Sequence, residues 1–273
     1  MTAKLLDGKL VSEIILEKLT VKAAKLSKKP TLVVVLVGNI PASEIYINQK
    51  EKAASKIGIS FQLIRKPNSI SQANLEEVIL ELNKDNSVTG IVVQKPLPKQ
   101  IDSDEIDCLA APEKDVDGFN PISKFIPATT RGILELLSFY KIVISGRKVV
   151  VVGRSNFVGL PTALEFLQKD ATVTICHSKT ADLATETSRA DILVVAAGKP
   201  KLITSGMIKK GAVVVDIGIN RVVTSNKSQV TRLVGDVDFE AISKIASYIS
   251  PVPGGVGPMT VAALMENLVE ASF

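Results

Sequence analysis

A tyrosine and a lysine that could do chemistry lie four residues apart in the segment PASEIYINQKEKA. Tyr46 and Lys50 share one face if this segment is helical. A pair at this spacing is more often a solvated surface pair than a site. The position favours a site, because the segment follows the apolar run TLVVVLVG and α/β proteins bind ligands at the carboxyl ends of parallel strands. A lysine desolvated there has a lowered pKa and can transfer protons.

Further polar groups follow a second apolar run. Gln94 ends the strand-like stretch in GIVVQKPLP, again at a carboxyl edge, where it could be simply a strand-end hydrogen bonder. Asp115 and Asp117 precede Gly118 in EKDVDGFNP, which by itself is a turn with carboxylates. A buried carboxylate at this place could hold a ring that presents paired N–H donors.

The segment GRSNFVGLP follows the run KVVVV and is similar to the dinucleotide-binding turn G-x-G-x-x-G. Ser155 stands where the second glycine is expected, while Gly153 and Gly159 keep small residues where a backbone approaches a pyrophosphate at a helix amino terminus. Taken alone, the match is weak, and an ordinary strand-to-helix turn explains it nearly as well.

The end of the next predicted strand gives the second half of this argument. In a site for NAD, an acidic residue about 20 residues beyond the turn accepts hydrogen bonds from the ribose hydroxyl. Here the sequence reads CHSKT, residues 176–180, without a carboxylate. Ser178 and Lys179, together with Arg154 of the turn, are donors that suit a ribose phosphate. The sequence therefore predicts NADP as the cofactor.

Composition excludes several other kinds of site. The single histidine, His177, rules out a multi-histidine metal site, and no metal is predicted. Cys108 and Cys176 are too few for a disulfide framework, and we expect both to lie in partly buried segments as structural residues. The net charge of +5 comes from dispersed basic residues, so no nucleic-acid partner is expected, although anionic small molecules would profit from the field.

No apolar run approaches the roughly 18 residues that a membrane helix needs, and no membrane association is expected. The first residues, MTAKLLDGKLVSEIILEKL, lack a compact apolar signal segment and contain acids that a transit peptide avoids. We therefore expect a cytoplasmic protein. The spacing of Val11, Ile15, Leu19 and Ala23 predicts an amphipathic helix near this end.

Short β-branched runs alternate with helical stretches in two series, which predicts parallel βαβ units and an α/β fold. The runs begin at Thr31, Phe61 and Gly90 in the first series and at Lys148, Ala171, Asp191 and Ala212 in the second. Between the series lies a proline-containing junction with one helix, capped by Thr129 or Thr130. A last helix begins near Pro258. At 273 residues, two domains are the default.

These segments, in this order, resemble the methylenetetrahydrofolate dehydrogenase/cyclohydrolases of one-carbon metabolism. The motifs that carry the resemblance are PASEIYINQKEKA, VVQKPLP, KDVDGFNP, GRSNFVGLP, HSKT, VVDIGIN, GDV and SPVPGGVGPMT. The resemblance implies two α/β domains that face a cleft. Residues 1–121 plus 256–273 would form the folate domain, and residues 122–255 a Rossmann-like parallel-sheet NADP domain. It also implies tetrahydrofolate one-carbon derivatives as substrates and, usually, a homodimer through the cofactor domain.

The resemblance implies a role for each candidate side chain. Lys50 would be the acid/base for hydrolysis, Tyr46 would line the folate site, Gln94 would tune the lysine, and Asp117 would hold the pterin ring. The substrate would also contact Val93, Lys95, Pro253, Gly254, Gly255, Val256 and Gly257. The implied cofactor-binding residues are Gly153, Arg154, Ser155, Ser178 and Ile219.

The chain departs from the family pattern at a few places. Lys95 stands where the family commonly has an apolar residue, Ser250 replaces a usual threonine, and PATTRG replaces a common Pro-Cys-Thr-Pro stretch. None of these departures removes a proposed catalytic group. Two other functions stay open at this point: an NADP-dependent dehydrogenase of the shikimate type, which has no use for Gln94 together with Tyr46 and Lys50, and a non-catalytic nucleotide-binding protein.

Overall fold

The computed structural model describes residues 2–223 and 231–273. The chain forms two compact units, each with its own parallel sheet. The three-stranded unit comprises Ser12–Ala128 and Val261–Phe273, and the six-stranded unit comprises Met1–Val11 and Thr129–Thr260.

The secondary structure of the described residues alternates between strands and helices along most of the chain. The strands are β1 (Lys4–Leu5), β2 (Thr31–Val37), β3 (Ser60–Lys66), β4 (Gly90–Gln94), β5 (Lys148–Val152), β6 (Thr172–Cys176), β7 (Ile192–Val195), β8 (Val213–Asp216), β9 (Asn220–Val223), β10 (Thr231–Val234) and β11 (Tyr248–Ile249). The helices are α1 (Gly8–Ala23), α2 (Pro41–Lys56), α3 (Gln72–Lys84), α4 (Ser103–Asp107), α5 (Ala128–Phe139), α6 (Gly159–Gln168), α7 (Leu183–Thr187), α8 (Phe239–Ile242) and α9 (Val256–Glu270).

The three-stranded sheet has the order β3-β2-β4, and both pairings are parallel. The central strand β2 is buried from Leu32 to Val37, which explains its continuous apolar sequence. Alternate β2 residues point into two apolar clusters, with Val34 in the cluster that contains α1 and α9 residues and Val35 in the cluster that contains α3 residues. The predicted first series of strands is confirmed, and all three strands end at one edge of the sheet.

The final helix closes this unit through a polar contact as well as apolar packing. Asn267 of α9 is fully buried, and its Nδ2 donates to the carbonyl oxygens of Val116, at 2.8 Å, and Ile126, at 3.0 Å. These two carbonyls belong to the segment that follows β4. The helix therefore holds the carboxylate-bearing turn around Asp117 in place.

The six-stranded sheet has the order β1-β11-β8-β7-β5-β6, and all its pairings are parallel. The predicted runs from Lys148, Ala171, Asp191 and Ala212 are confirmed as β5 to β8. The two-residue strands β1 and β11 were not predicted, because each is too short to show a pattern and forms only through the pairing. An antiparallel hairpin, β9 with β10, extends from the end of β8.

Three local expectations are corrected. Helix α5 begins at Ala128, so Thr129 and Thr130 lie inside its first turn and are not caps; the hydroxyl of Thr130 pairs with that of Thr162 at 2.9 Å. Helix α9 begins at Val256, so Val256 and Gly257 belong to a helix and not to the preceding loop. Cys108 is exposed at the end of α4, whereas Cys176 is buried as expected.

The bounds of the compact units differ from the predicted domain bounds. The residues up to Val11 join the six-stranded unit because β1 pairs with β11. Residues 122–128 join the three-stranded unit, and residues 256–260 join the six-stranded unit. The assignment of a folate role and a cofactor role to the two parts stays a prediction.

No helix among the described residues is long and apolar enough to cross a membrane.

Candidate active site

The central feature of the three-stranded unit is a buried hydrogen bond between two predicted site residues. Lys50 Nζ, on α2, donates to Gln94 Oε1, at the end of β4, over 3.0 Å. Each residue is only 8% exposed. The bond forms because α2 starts at the carboxyl edge of β2 and β4 is the strand beside β2. Residues 44 apart in sequence therefore meet at one sheet edge.

The amide of Gln94 has a defined orientation. Its Nε2 donates to the carbonyl oxygen of Lys95 at 2.9 Å, which leaves Oε1 to face the lysine. The hydroxyl of Ser43 donates to the same carbonyl at 3.4 Å. A reversed amide would point two N–H groups at a nitrogen that is itself a donor. The side chain of Gln94 is therefore held as an acceptor for Lys50.

Burial lowers the pKa of Lys50, because a desolvated ammonium loses the hydration that stabilises its charge, and the charge of Asp117 partly opposes this effect. Burial also raises the pKa of Asp117, opposed first by the charge of Lys50 and then by that of Lys95. The two groups are thus electrostatically coupled.

Tyr46 lies one helical turn before Lys50 on α2 and is partly buried. Its side chain shares the helix face of the lysine, as its spacing predicted. Val93 is placed differently. Its side chain packs into the apolar cluster that contains Val35 and Ile79, on the opposite face of β4 from Val92. The structure therefore does not group the Val93 side chain with Lys50 and Gln94.

Asp115 is a brace for the turn that carries Asp117. Its two carboxylate oxygens accept from the backbone N–H groups of Gly118, at 3.2 Å, and Asn120, at 2.8 Å. Burial, the largest influence, raises the pKa of Asp115 to about 6 despite these donors. Asn120 in turn donates through Nδ2 to the carbonyl oxygens of Cys108 and Ala110. The sequence offered two carboxylates here, and the structure assigns the bracing to Asp115.

The unusual Lys95 forms an ion pair. Its Nζ lies 2.7 Å from Asp107 Oδ1 and donates to the carbonyl oxygen of Ser103 at 3.3 Å. Burial raises the pKa of Asp107, and the contact with Lys95 opposes that rise. A charge in place of the family's common apolar residue is therefore balanced by a second carboxylate on α4, which explains how the substitution is accommodated.

In the six-stranded unit, the turn after β5 has the geometry of a strand-to-helix phosphate turn. Gly153 has φ +126°, and a Cβ there would collide with the carbonyl oxygen of Ala196, so only glycine fits. Ser155 Oγ accepts from the backbone N–H groups of Val158, at 3.2 Å, and Gly159, at 3.4 Å. The serine thus occupies donors at the start of α6, which explains how the turn closes without the second glycine.

The segment after β6 forms an adjoining turn. His177 Nδ1 accepts from the backbone N–H of Lys179 at 3.1 Å, and Thr180 Oγ1 accepts from that of His177 at 2.9 Å. Gly153 N donates to the carbonyl oxygen of Cys176 at 2.8 Å, so the two turns lie side by side. Arg154, Ser155 and Ser178 are all exposed at this carboxyl edge.

The donor set at these turns fits a phosphorylated dinucleotide. The first carboxylate after the HSKT segment is Asp182, and it is engaged elsewhere: Oδ1 accepts from the backbone N–H of Thr185 at 3.0 Å and Oδ2 from its hydroxyl at 2.6 Å. It caps α7 and is not available as a ribose acceptor. Arg154 and Ser178 remain as donors beside the glycine turn, which suits a 2′-phosphate.

The remaining predicted site residues also lie in the six-stranded unit. Ile219 is 47% exposed in the link between β8 and β9. Gly254 O accepts from the N–H of Lys9, and Gly255 N donates to Pro251 O at 2.8 Å. Pro253 is exposed, while Val256 is buried in the first turn of α9. Among the described residues, no group of three His, Cys, Asp or Glu side chains could hold a metal ion.

Both halves of the chain match one protein family. Residues 6–117 match the catalytic domain of tetrahydrofolate dehydrogenase/cyclohydrolase, and residues 127–273 match the NAD(P)-binding domain of the same family. The chain belongs to this family. The family predicted from the sequence motifs and the two-domain α/β fold are therefore confirmed.

Known relatives match along nearly the whole chain. The bifunctional protein FolD of Exiguobacterium sibiricum is 49% identical, over 99% of this chain and 99% of its own. Among solved structures, the bifunctional methylenetetrahydrofolate dehydrogenase/cyclohydrolase of Campylobacter jejuni is 44% identical, with a TM-score of 0.94 over 99% of this chain and 98% of its own. The Trypanosoma brucei enzyme, solved with NADP and an inhibitor, is 36% identical, with a TM-score of 0.94 over 100% and 98% of the two chains.

Several residues that shape these sites were not identified from the sequence. They are Asn120 and Asn267, which support the Asp117 turn, Asp107, which pairs with Lys95, and the buried Asp216 and Asp236. Each acts on a partner at least 12 residues away, so local patterns do not reveal it. The available signal was an acid or amide within an otherwise apolar or glycine-rich segment.

We expect Asp117→Asn to lower the pKa of Lys50 further, because it removes the negative charge that opposes desolvation of the ammonium. NMR titration of the lysine side-chain carbons, with Lys50→Gln to assign the signal, measures this. Asp107→Asn is the matched control, since Asp107 is not among the groups that shift the pKa of Lys50. An unchanged Lys50 titration in Asp117→Asn would contradict the coupling of the two groups.

Proposed function

We propose that the chain oxidises 5,10-methylenetetrahydrofolate to 5,10-methenyltetrahydrofolate with NADP and hydrolyses the product to 10-formyltetrahydrofolate. The observation that carries this function is the buried Lys50–Gln94 hydrogen bond, electrostatically coupled to Asp117, in a chain whose two halves match the family. The match of both halves to the tetrahydrofolate dehydrogenase/cyclohydrolase family disfavours an enzyme of the shikimate type. A non-catalytic nucleotide-binding protein is not favoured for the same reason.

The oxidation needs no base from the chain. The methylene carbon lies between two nitrogens whose lone pairs stabilise the cation that remains when hydride leaves. NADP, when bound, supplies the acceptor for that hydride. The role of Asp117 is to hold the pterin ring by accepting from its N–H groups, which fixes the position of the reacting carbon. Arg154 and Ser178 bind the ribose phosphate.

The hydrolysis requires proton transfer, and Lys50 provides it. Water adds to the methenyl carbon and gives one proton to the amine of Lys50. The bond from this carbon to N5 then breaks as N5 takes up a proton and the new hydroxyl loses one, so the net products are 10-formyltetrahydrofolate and one proton. Burial lowers the pKa of Lys50, which increases the amine fraction available at neutral pH. Gln94 orients the nitrogen by accepting one of its hydrogens.

Lys50→Gln is expected to separate the two reactions. Hydride transfer should remain measurable, whereas hydrolysis should fall by about 10²- to 10⁴-fold, the usual contribution of a general acid/base group. Glutamine keeps much of the length and polarity of the lysine. The measurement follows both steps on one preparation and subtracts the spontaneous decay of the methenyl compound in buffer.

Lys52→Gln is the matched control, because Lys52 lies on the same helix but is exposed. It should retain both activities. If Lys50→Gln hydrolyses as fast as the parent protein, Lys50 is a structural residue and the hydrolytic mechanism is wrong. If both activities vanish together while the fold is intact, the lysine serves binding and not proton transfer.

Charge reversal at Arg154 tests the cofactor assignment. Arg154→Glu should reduce kcat/KM for NADP by about 10- to 100-fold more than kcat/KM for NAD, the loss expected for one charge-assisted hydrogen bond. Arg147→Glu is the control, since Arg147 is also exposed but precedes β5 and so lies at the opposite edge of the sheet. Equal losses with both cofactors would show that Arg154 does not contact the phosphate.

The six-stranded unit has an exposed apolar surface that suits the homodimer implied by the sequence resemblance. Leu160, Leu164 and Leu167 recur at helical spacing on α6 and are exposed, as is Ile175 on the edge strand β6. An apolar stripe beside an open strand edge is suited to pairing with a second copy. We assign the dimer contact to this stripe.

Leu164→Glu should convert the protein from dimer to monomer at the same concentration, because two such glutamates would be buried against apolar surface. Size-exclusion chromatography with light scattering measures the mass. Leu80→Glu, at a similarly exposed leucine of α3 in the other unit, should leave the mass unchanged. A monomeric parent or a dimeric Leu164→Glu would refute the assignment.

The cytoplasmic location stays a prediction from the sequence.

A further inference from the structure

Two buried carboxylates in the six-stranded unit take no part in the mechanism described above. Asp216 is the last residue of β8, and Asp236 follows β10; they are 2% and 0% exposed. The partners that they have in the structure are N–H groups of the backbone and of one amide side chain. Buried carboxylates satisfied mainly by backbone donors fix the path of the loops that supply those donors.

Asp216 binds two segments of backbone, the one that follows β8 and the one that follows β10. Its Oδ1 accepts from the backbone N–H groups of Gly218, at 2.9 Å, and Asp236, at 2.9 Å, while its Oδ2 accepts from that of Val237 at 3.1 Å. Ser250 Oγ accepts from the N–H of Asp216 at 2.7 Å. Burial raises the pKa of Asp216 to about 6, although these N–H groups oppose the rise.

Asp236 reaches two further loops. Its Oδ2 accepts from the backbone N–H groups of Ala197, at 2.6 Å, and Gly198, at 2.8 Å, which follow β7. Its Oδ1 accepts from Asn220 Nδ2 at 2.8 Å, at the start of β9. One carboxylate therefore fixes the loop after β7 relative to the link after β8.

The glycines around this pair show how closely the carboxylates are enclosed. A Cβ at Gly218 would collide with Asp236 Oδ1, and a Cβ at Gly235 would collide with Asp216 Oδ2. Side chains larger than hydrogen would displace the carboxylates from their donors. The VVDIGIN and GDV segments thus form one three-dimensional unit, although they are separated along the chain.

Ile219 lies between two residues that this pair anchors. Gly218 is bound through its backbone by Asp216, and Asn220 is bound through its side chain by Asp236. Ile219 itself is 47% exposed. An exposed apolar side chain between two anchored neighbours is presented in a fixed position, which is what a binding contact requires.

We propose that Asp236, together with Asp216, is a positioning residue for the cofactor: it holds Ile219 and the Ala197–Gly198 turn in the arrangement that binds NADP. This inference rests on the proposed function and on the role that the family resemblance implies for Ile219 as a cofactor contact. Hydrolysis of the methenyl substrate requires no hydride acceptor. Loss of the positioning should therefore affect the two activities differently.

Asp236→Ala removes an acceptor from three donors, whereas Asn220→Ala removes the link between Asp236 and the Ile219 segment together with a longer contact, 3.4 Å, to the carbonyl oxygen of Val234. Both should raise KM for NADP in the dehydrogenase assay and the NADP dissociation constant measured by calorimetry, by about tenfold or more for Asp236→Ala and less for Asn220→Ala. Hydrolysis of methenyltetrahydrofolate, supplied directly, should stay within about twofold of the parent rate. Asp236→Asn should be intermediate, because it keeps one acceptor oxygen.

Asp238→Ala is the matched control. It removes the same charge two residues away from Asp236, and the side chain of Asp238 makes no cap hydrogen bond to α8. It should leave NADP binding unchanged. If Asp236→Ala does not fold, the NADP affinity of Asn220→Ala still tests the positioning role. Unchanged NADP affinity in Asn220→Ala and Asp236→Asn, or equal losses of both activities, would overturn the positioning role. A parent protein that cannot oxidise methylenetetrahydrofolate would instead refute the proposed function.

Discussion

The desolvation of one amine is the constraint on which the three-stranded unit depends. Lys50 is buried, and a buried ammonium is costly unless its hydrogens and charge have partners. Gln94 accepts one hydrogen, and Asp117 supplies the opposing charge. Both partners must therefore be held in place. The buried strand β4 holds Gln94, while Asp115 and the α9 residue Asn267 hold the turn that bears Asp117.

Much of this arrangement could be predicted from sequence because it follows local patterns. The strands appeared as apolar β-branched runs, and residues at their carboxyl ends must share one sheet edge. Lys50 and Gln94 were therefore both expected at the carboxyl edge of the sheet, and their contact was implied by the family resemblance. The roles of Asp115 and Asp117 could not be separated in this way, since they differ only in which one meets backbone donors. The strands β1 and β11 could not be predicted either, because each has two residues and is recognised only by its pairing with another strand.

The serine in the glycine turn illustrates how a motif can change while its geometry persists. A second glycine would leave the first N–H groups of α6 open, whereas Ser155 accepts from two of them with its hydroxyl. The close contact that must be kept is the one at Gly153, which no side chain fits. The glycine motif asks for the same residue at both positions, but their physical requirements differ. Position 153 requires the absence of a Cβ, whereas position 155 accepts a serine whose hydroxyl binds the N–H groups.

The contribution of α9 to the three-stranded unit has a consequence for biosynthesis. Six of its residues, from Val261 to Val269, belong to the same apolar cluster as Leu32 and Val34 of β2. The ribosome makes these residues more than 220 positions after β2. Until they emerge, this face of the three-stranded sheet lacks the α9 part of its cover, and Val116 O and Ile126 O have no amide from Asn267. Most of the three-stranded unit is therefore translated early but completes its apolar core only when the last helix is available, so apolar surface stays exposed during that interval.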